Sequence, residues 1–191
     1  MSFIPAFEIG LWNAWIFMLY HFLPMPLLML IHKGAAKKGQ PVPPSETEKK
    51  LYPVIWIVWA LAFIYSIFLP LKLGTVWFYI GLPISMVGLI TFTMGIVTFA
   101  TTPIDVEPLT RGLYRYSRHP MYVTQLVMFI GVGIASASWV FLLFSIVYTI
   151  LSFVSAIPEE RSCLEKYGDA YREYMNRTPR WIGIPKSGEE R

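Results

Sequence analysis

Residues 111–122 read RGLYRYSRHPMY and place three arginines, three tyrosines, one histidine and one proline within a dozen positions. Arginine can clamp a carboxylate through two parallel N–H bonds. Tyrosine and histidine can hydrogen-bond to a heterocycle or stack on it. Further along, Glu159 and Glu160 follow directly after Pro158, and carboxylates of this kind hold ammonium or hydroxyl donors. The two clusters make a useful set only if the chain brings them together, so the elements between them decide the matter.

Those elements are apolar. Of the 191 residues, 55% are hydrophobic and 15% charged, against about 45–50% and about 25% in a soluble domain. The hydrophobic residues come in long blocks, each able to cross a hydrocarbon core of about 30 Å. The sequence therefore predicts an all-α integral membrane protein forming a single membrane domain over residues 1–191, with about five transmembrane helices. The expected spans are Leu11 to Ile31, Leu51 to Leu71, Thr75 to Ala100, Met121 to Ile134 and Trp139 to Ile157. Pro24 and Pro26 predict an interruption of the first, since each removes a backbone donor. The fourth is short, and Ala135 to Ser138 separate it from the fifth without a charge, so the last two are expected to form a tight helical hairpin. Pro158 is expected to end or kink the fifth. Leu164, Tyr167, Tyr171 and Tyr174 then recur at helical spacing and predict an amphipathic C-terminal helix on the membrane surface, weakened at Gly168. Gly81, Ser85, Gly88 and Gly95 form a small-residue stripe on the third span, a packing feature rather than a chemical one.

Charge sets the orientation. The loop from Lys33 to Lys50 carries five lysines, residues 101–118 carry three arginines, and the tail carries more. The other side carries Lys72 and the uncharged turn at Ser136. Basic residues therefore alternate sides as five spans require, which places the amino end outside and the carboxyl end in the cytoplasm of a cell membrane or endoplasmic reticulum. The same distribution accounts for the net charge of +4 without nucleic acid as a partner. Residues 1–10 lack the basic start of a secretory signal. Cys163 is the only cysteine, and His21, His32 and His119 lie far apart, so neither a disulfide framework nor a metal site is expected. The SETE run at Ser45 is read as a cap for the second span. His21, inside the first span, is read as a neutral histidine bonded to a neighbouring helix.

This topology puts residues 111–122 and Glu159–Glu160 at the same membrane face, at the open ends of one hairpin. Together they suit a zwitterionic ligand with a carboxylate, an amine, a ribose and a base. S-adenosylmethionine fits that description, and so does a lipid head group. Each feature also has a plainer reading. Arginines and tyrosines at a cytoplasmic face anchor topology, a Glu–Glu pair at a helix end is usually solvated, and Pro120 suits the first turn of a helix.

The string Arg118-His119-Pro120-Met121-Tyr122, followed by Pro158-Glu159-Glu160 about forty residues later, resembles the integral-membrane methyltransferases, namely the isoprenylcysteine carboxyl methyltransferases and the phospholipid N-methyltransferases. The likeness extends through EERSCLEKYGDAYREYM and TPRW and covers about seventy-five residues. The first hundred residues carry no such motif.

The resemblance implies S-adenosylmethionine bound near the cytoplasmic face as cofactor, with Arg118, His119, Pro120, Tyr122, Glu159 and Glu160 at the pocket and Tyr114 and Arg115 as second-tier contacts. His119 and Glu159 are the implied catalytic residues: His119 contacts the cofactor or orients the acceptor, and the acidic pair binds polar cofactor groups. The acceptor, a lipidic or small apolar molecule such as a prenylcysteine carboxylate or a phospholipid amine, would enter sideways from the bilayer lipids. Methyl transfer is an in-line displacement that mainly needs alignment and exclusion of water. An ammonium acceptor must first lose a proton, to Glu159, Glu160 or His119, whereas a carboxylate needs no base. Residues 101–110, TTPIDVEPLT, match no pattern and leave the acceptor open. The contrasting reading is a non-enzymatic membrane scaffold or anionic-lipid-binding protein that uses the basic cluster for head groups.

Overall fold

A chain segment in hydrocarbon must satisfy its own backbone N–H and C=O groups, and a helix does so within one segment. The structure, a computed structural model, describes residues 1–4, 7–24, 26–27, 46–103 and 107–185. Its helices are α1 (Trp15–Phe22), α2 (Glu46–Ile67), α3 (Val76–Thr101), α4 (Pro120–Ala135), α5 (Trp139–Tyr167) and α6 (Asp169–Arg177), with a short 3-10 helix at Gly112–Arg115. Among the described residues, α2 from Lys49, α3 and α5 are long and apolar enough to cross a membrane. The 16 residues of α4 rise about 24 Å, slightly less than the core of a bilayer. Large apolar side chains such as Trp56, Ile57, Ile90, Met94, Leu143 and Ile150 lie exposed along these helices, as suits a lipid surrounding. The protein is an all-α integral membrane protein.

Backbone bonds show which ends meet. Ser2 N–H donates to the Ala137 carbonyl at 2.7 Å, Ala14 N–H to Leu69 at 2.9 Å, and Lys72 N–H to Ala135 at 2.9 Å. One end of the bundle therefore gathers the amino-terminal residues, the start of α1, the α2–α3 connection and the α4–α5 turn. That turn is the expected tight hairpin: Ala137 takes a left-handed φ of 51°, and Ser138 Oγ caps α5 by accepting from Phe141 N–H at 3.2 Å. The opposite end gathers the end of α3, the 111–119 loop and Glu159–Glu160.

The closest helix pair is α3 against α4, and the small-residue stripe is the reason. A Cβ on Gly81 would lie 2.2 Å from Ala135 N, one on Gly88 2.3 Å from Met128 N, and one on Gly131 2.3 Å from Ser85 N. The backbones touch where these residues have no side chain, which is how membrane helices gain dispersion contact without a hydrophobic drive. Gly95 is looser, meeting only the flexible Met121 side chain at 3.1 Å.

Three expectations need correction or limits. The first span is helical over Trp15–Phe22 and bends at Leu23, with helical backbone again at Pro24, Pro26 and Leu27, the interruption expected of the two prolines; residues 11–14 are instead a turn pinned by Asn13, whose Nδ2 donates to the Glu8 and Ile67 carbonyls at 2.6 and 2.7 Å. Residues 28–31 and the capping role of Ser45 lie outside the described residues, although α2 does begin at Glu46. Pro158 does not end α5, which runs on to Tyr167. A proline removes a single donor, and here the following turn is fastened by the contacts of Glu159 and Glu160 described below. The break falls at Gly168, with φ 54°, so the C-terminal stripe is divided between the end of α5 and α6. Tyr171 and Tyr174 are buried against the 111–119 loop instead of facing a membrane surface.

Replacing Gly88 with valine should cost about 1–3 kcal/mol through backbone overlap with Met128, while Gly95→Ala should be nearly neutral. Thermal unfolding of the two detergent-solubilised variants tests the contrast.

Candidate functional site

The loop ahead of α4 is shaped by local chemistry. Gly112 adopts φ 58°, close against the Thr98 side chain of α3, and opens the 3-10 helix that buries Tyr114. Ser117 Oγ accepts from His119 N–H at 3.1 Å, and Pro120 then occupies the first turn of α4, where its missing donor is no loss. His119 therefore stands at the N-cap of α4 with its side chain turned toward α5.

Two carboxylates of α5 receive it. His119 Nε2 lies 3.2 Å from Glu160 Oε1, and Nδ1 lies 3.4 Å from Glu159 Oε2. Glu160 is buried, its side chain 4% exposed, and is ringed by cations. Arg180 holds it as a fork, Nε to Oε1 at 3.1 Å and Nη2 to Oε2 at 2.6 Å. Arg118 Nε comes within 3.1 Å of the same Oε1 without aiming its N–H there, and its Nη1 donates to the Met175 carbonyl at 3.3 Å. Glu159 is 47% exposed and accepts a short hydrogen bond from the Tyr122 hydroxyl, which also reaches Ser155 Oγ at 3.4 Å. Burial opposes a charge on His119, but hydrogen bonds and Coulombic attraction from Glu159 and Glu160 outweigh it and raise the pKa above the ordinary 6.5. Burial, foremost, keeps the Tyr114, Tyr171 and Tyr174 hydroxyls protonated well above the usual phenol range.

A cavity with about 740 Å³ of empty space, mouth included, opens over this network. Its polar lining includes Tyr114, Arg118, His119, Tyr122, Glu159 and Tyr171, and its apolar lining includes Phe99, Leu109, Met121 and Cys163. Among the described residues, the Tyr114 hydroxyl and Arg118 Nε are buried polar atoms with no hydrogen-bond partner. Buried donors are normally paired; His21 Nδ1 and Trp59 Nε1, away from the cavity, are unpaired as well, and the Tyr114 and Arg118 atoms leave hydrogen-bonding capacity unspent beside it.

The residues expected from the sequence divide into three groups. Tyr114, Arg118, His119, Pro120, Tyr122 and Glu159 line the cavity. Glu160 lies behind it and holds Arg118 and His119. Arg115 is exposed and faces a separate surface groove with Glu173 and Arg177. Sequence reasoning missed Tyr171, Tyr174 and Cys163 as lining residues and Arg180 as the fork on Glu160. The tyrosine stripe was the available signal for the first two, but its periodicity reads equally as a membrane-surface face.

Residues 78–170, from α3 to the start of α6, match the phospholipid methyltransferase family. Over 78 residues the chain is 40% identical to Methanethiol S-methyltransferase 1 of Bradyrhizobium diazoefficiens. That alignment covers 41% of this chain but only 26% of the relative, so the chain spans about a quarter of that protein's length. The stretch that builds the cavity is thus similar to the phospholipid methyltransferases, and the motifs at Arg118–Tyr122 and Pro158–Glu160 lie within it.

The charge network makes stability depend on pH. Because folding raises the His119 pKa, its contribution is complete below about 6.5, the unfolded value, and is lost as pH rises through the higher folded value. Unfolding midpoints of the purified protein measured from pH 5 to 9 should fall over that window, and His119→Gln should flatten the fall. Glu160→Gln, which takes the shared carboxylate from Arg118 and Arg180, should cost about 3 kcal/mol at neutral pH by the same measurement.

Proposed function

We propose that the protein is an S-adenosylmethionine-dependent methyltransferase that binds its cofactor in this cavity and methylates a lipidic or small apolar acceptor arriving from the bilayer. The observation that carries the reading is the cavity itself, where the family-matched His119, Tyr122 and Glu159 meet two buried, unpartnered polar atoms. The lining fits such a cofactor: Arg118 Nε and the Tyr114 hydroxyl can bond a carboxylate or hydroxyl, and the half-exposed Glu159 can hold an ammonium or offset a sulfonium. The Tyr122, Tyr171 and Tyr174 rings exclude water, and an aromatic face also attracts a cation. When bound, S-adenosylmethionine supplies an electrophilic methyl group.

The chain's own residues would align the partners and manage protons. His119 shares its proton with two carboxylates and would act as a donor that fixes Glu159, not as a base. Glu159, open to the cavity, is the group placed to accept a proton from an acceptor that carries one. The relative named above acts on methanethiol, a small apolar thiol, and a thiol must ionise before it attacks. A carboxylate acceptor would leave Glu159 with binding alone. Basic residues on the loops favour a cytoplasmic placement of the cavity. A scaffold that binds anionic lipid fits less well, since Glu159 places a carboxylate in the cavity and Arg180 is spent on Glu160.

Purified protein should bind S-adenosylmethionine saturably, and His119→Ala and Glu159→Ala should each lower the affinity at least about tenfold, the value of one charge-assisted contact. Intact affinity in both variants rules out the site; salt-sensitive binding to anionic vesicles without nucleoside binding would favour the scaffold. Incubation in native lipids with methyl-labelled cofactor, followed by extraction, identifies the acceptor class.

A further inference from the structure

The segment after α6 crosses back over the site. Arg118 N–H donates to the Pro179 carbonyl at 3.0 Å, Ser117 Oγ to the Arg180 carbonyl at 3.3 Å, and Gly183 N–H to the Tyr116 carbonyl at 3.1 Å. Between these ties Arg180 forks onto Glu160, and the Trp181 ring stacks on Phe153 of α5, centroids 3.8 Å apart, with its other neighbour the His119 ring at 5.8 Å. Residues 178–183 therefore bind both walls of the site, the loop by backbone and α5 by side chains. They lie beyond residues 78–170 of the family match, while Thr178 to Trp181 belong to the likeness read from the sequence.

We propose that residues 178–183 form a strap that positions the cofactor site, with Arg180 acting through Glu160 to keep Arg118 and His119 lining the cavity. This rests on the reading of the cavity as the methyl donor's site. Glu160 has two oxygens and three cationic neighbours, and Arg180 occupies both oxygens at hydrogen-bond distance. While that fork is in place, Arg118 Nε is left close to Glu160 but without a hydrogen bond. Without Arg180, Glu160 would draw Arg118 and His119 onto itself and out of the cavity. Burial, Glu159 and Glu160 set the His119 proton, and the other titratable or charged groups around them are Arg118 and Tyr114 of the loop, Tyr122 of α4, Tyr174 of α6 and Arg180 of the strap. Removal of one cation from this set leaves Glu160 a stronger partner for the imidazolium.

The test measures donor affinity and the imidazole titration of His119 by NMR, assigned by loss of the signal in His119→Gln. Arg180→Ala should move the His119 titration to higher pH and weaken S-adenosylmethionine binding about tenfold, within the range of coupling between linked sites. Arg180→Lys, which keeps the charge and loses the fork, should fall between, and it carries the comparison if Arg180→Ala does not fold. Trp181→Ala loosens the strap without changing charge, so it should weaken binding and leave the titration in place. An unmoved His119 titration with donor affinity within about twofold of the parent in folded Arg180→Ala overturns the proposal. If the parent protein does not bind the donor at all, the reading of the cavity fails, and the strap stands or falls on the His119 titration alone.

Discussion

The buried carboxylate of Glu160 is the constraint on which the functional end of the molecule depends. An ion removed from water loses several kcal/mol of solvation, and that loss is offset only if the partners are well placed. Glu160 meets Arg180 as a fork, His119 at 3.2 Å and Arg118 at 3.1 Å, and these three come from the strap, the N-cap of α4 and the loop before it. One side chain of α5 thereby fixes two otherwise separate backbone segments, the strap and the loop that leads into α4. Any other arrangement would leave a charge buried and unpaired, so the loop has one low-energy position and not several.

That network can work only because the helices beneath it are held in fixed register. The contact of α3 with α4 leaves no space at Gly81, Gly88 and Gly131, and a slip of either helix would drive a side chain into a backbone. Register then propagates upward. Thr98 near the top of α3 touches Gly112, and Phe99 lines the cavity beside residues supplied by α4 and α5. Packing chemistry inside the membrane thus determines where the polar chemistry at its face can sit.

Much of this was legible in the residues. Charge-free runs gave the long helices, the small-residue stripe marked the α3–α4 contact, and an uncharged turn between short spans was enough to bring Glu159 and Glu160 back to His119. The rest depended on tertiary facts that no local pattern encodes. Pro158 reads as a stop or a kink, yet the helix runs on through it to Tyr167. Tyr171 and Tyr174 show the period of a surface helix, but a turn at Gly168 faces them inward, where Tyr174 donates to the Tyr114 carbonyl at 2.6 Å. Arg180 is one of several basic residues in a charged tail, and its fork on Glu160 follows from where the chain crosses the loop. Arg115 shows the opposite error, since its neighbours in sequence line the cavity while it points away.

The cavity finally follows from a difference in helix length. Measured from the hairpin turn, α4 rises about 24 Å to Pro120, whereas α5 extends 29 residues, about 43 Å, and α3 extends 26 residues, about 39 Å. The short helix therefore ends below its neighbours. Its N-cap, with His119 and Tyr122 beside Glu159, forms a floor, while Phe99 of α3 and Cys163 and Tyr167 of α5 stand above as walls. Had α4 run as far as its neighbours, its own first turns would fill the space that the cavity occupies. A span too short for the bilayer, which in the sequence pointed to a tight hairpin, is also what leaves room for the cavity.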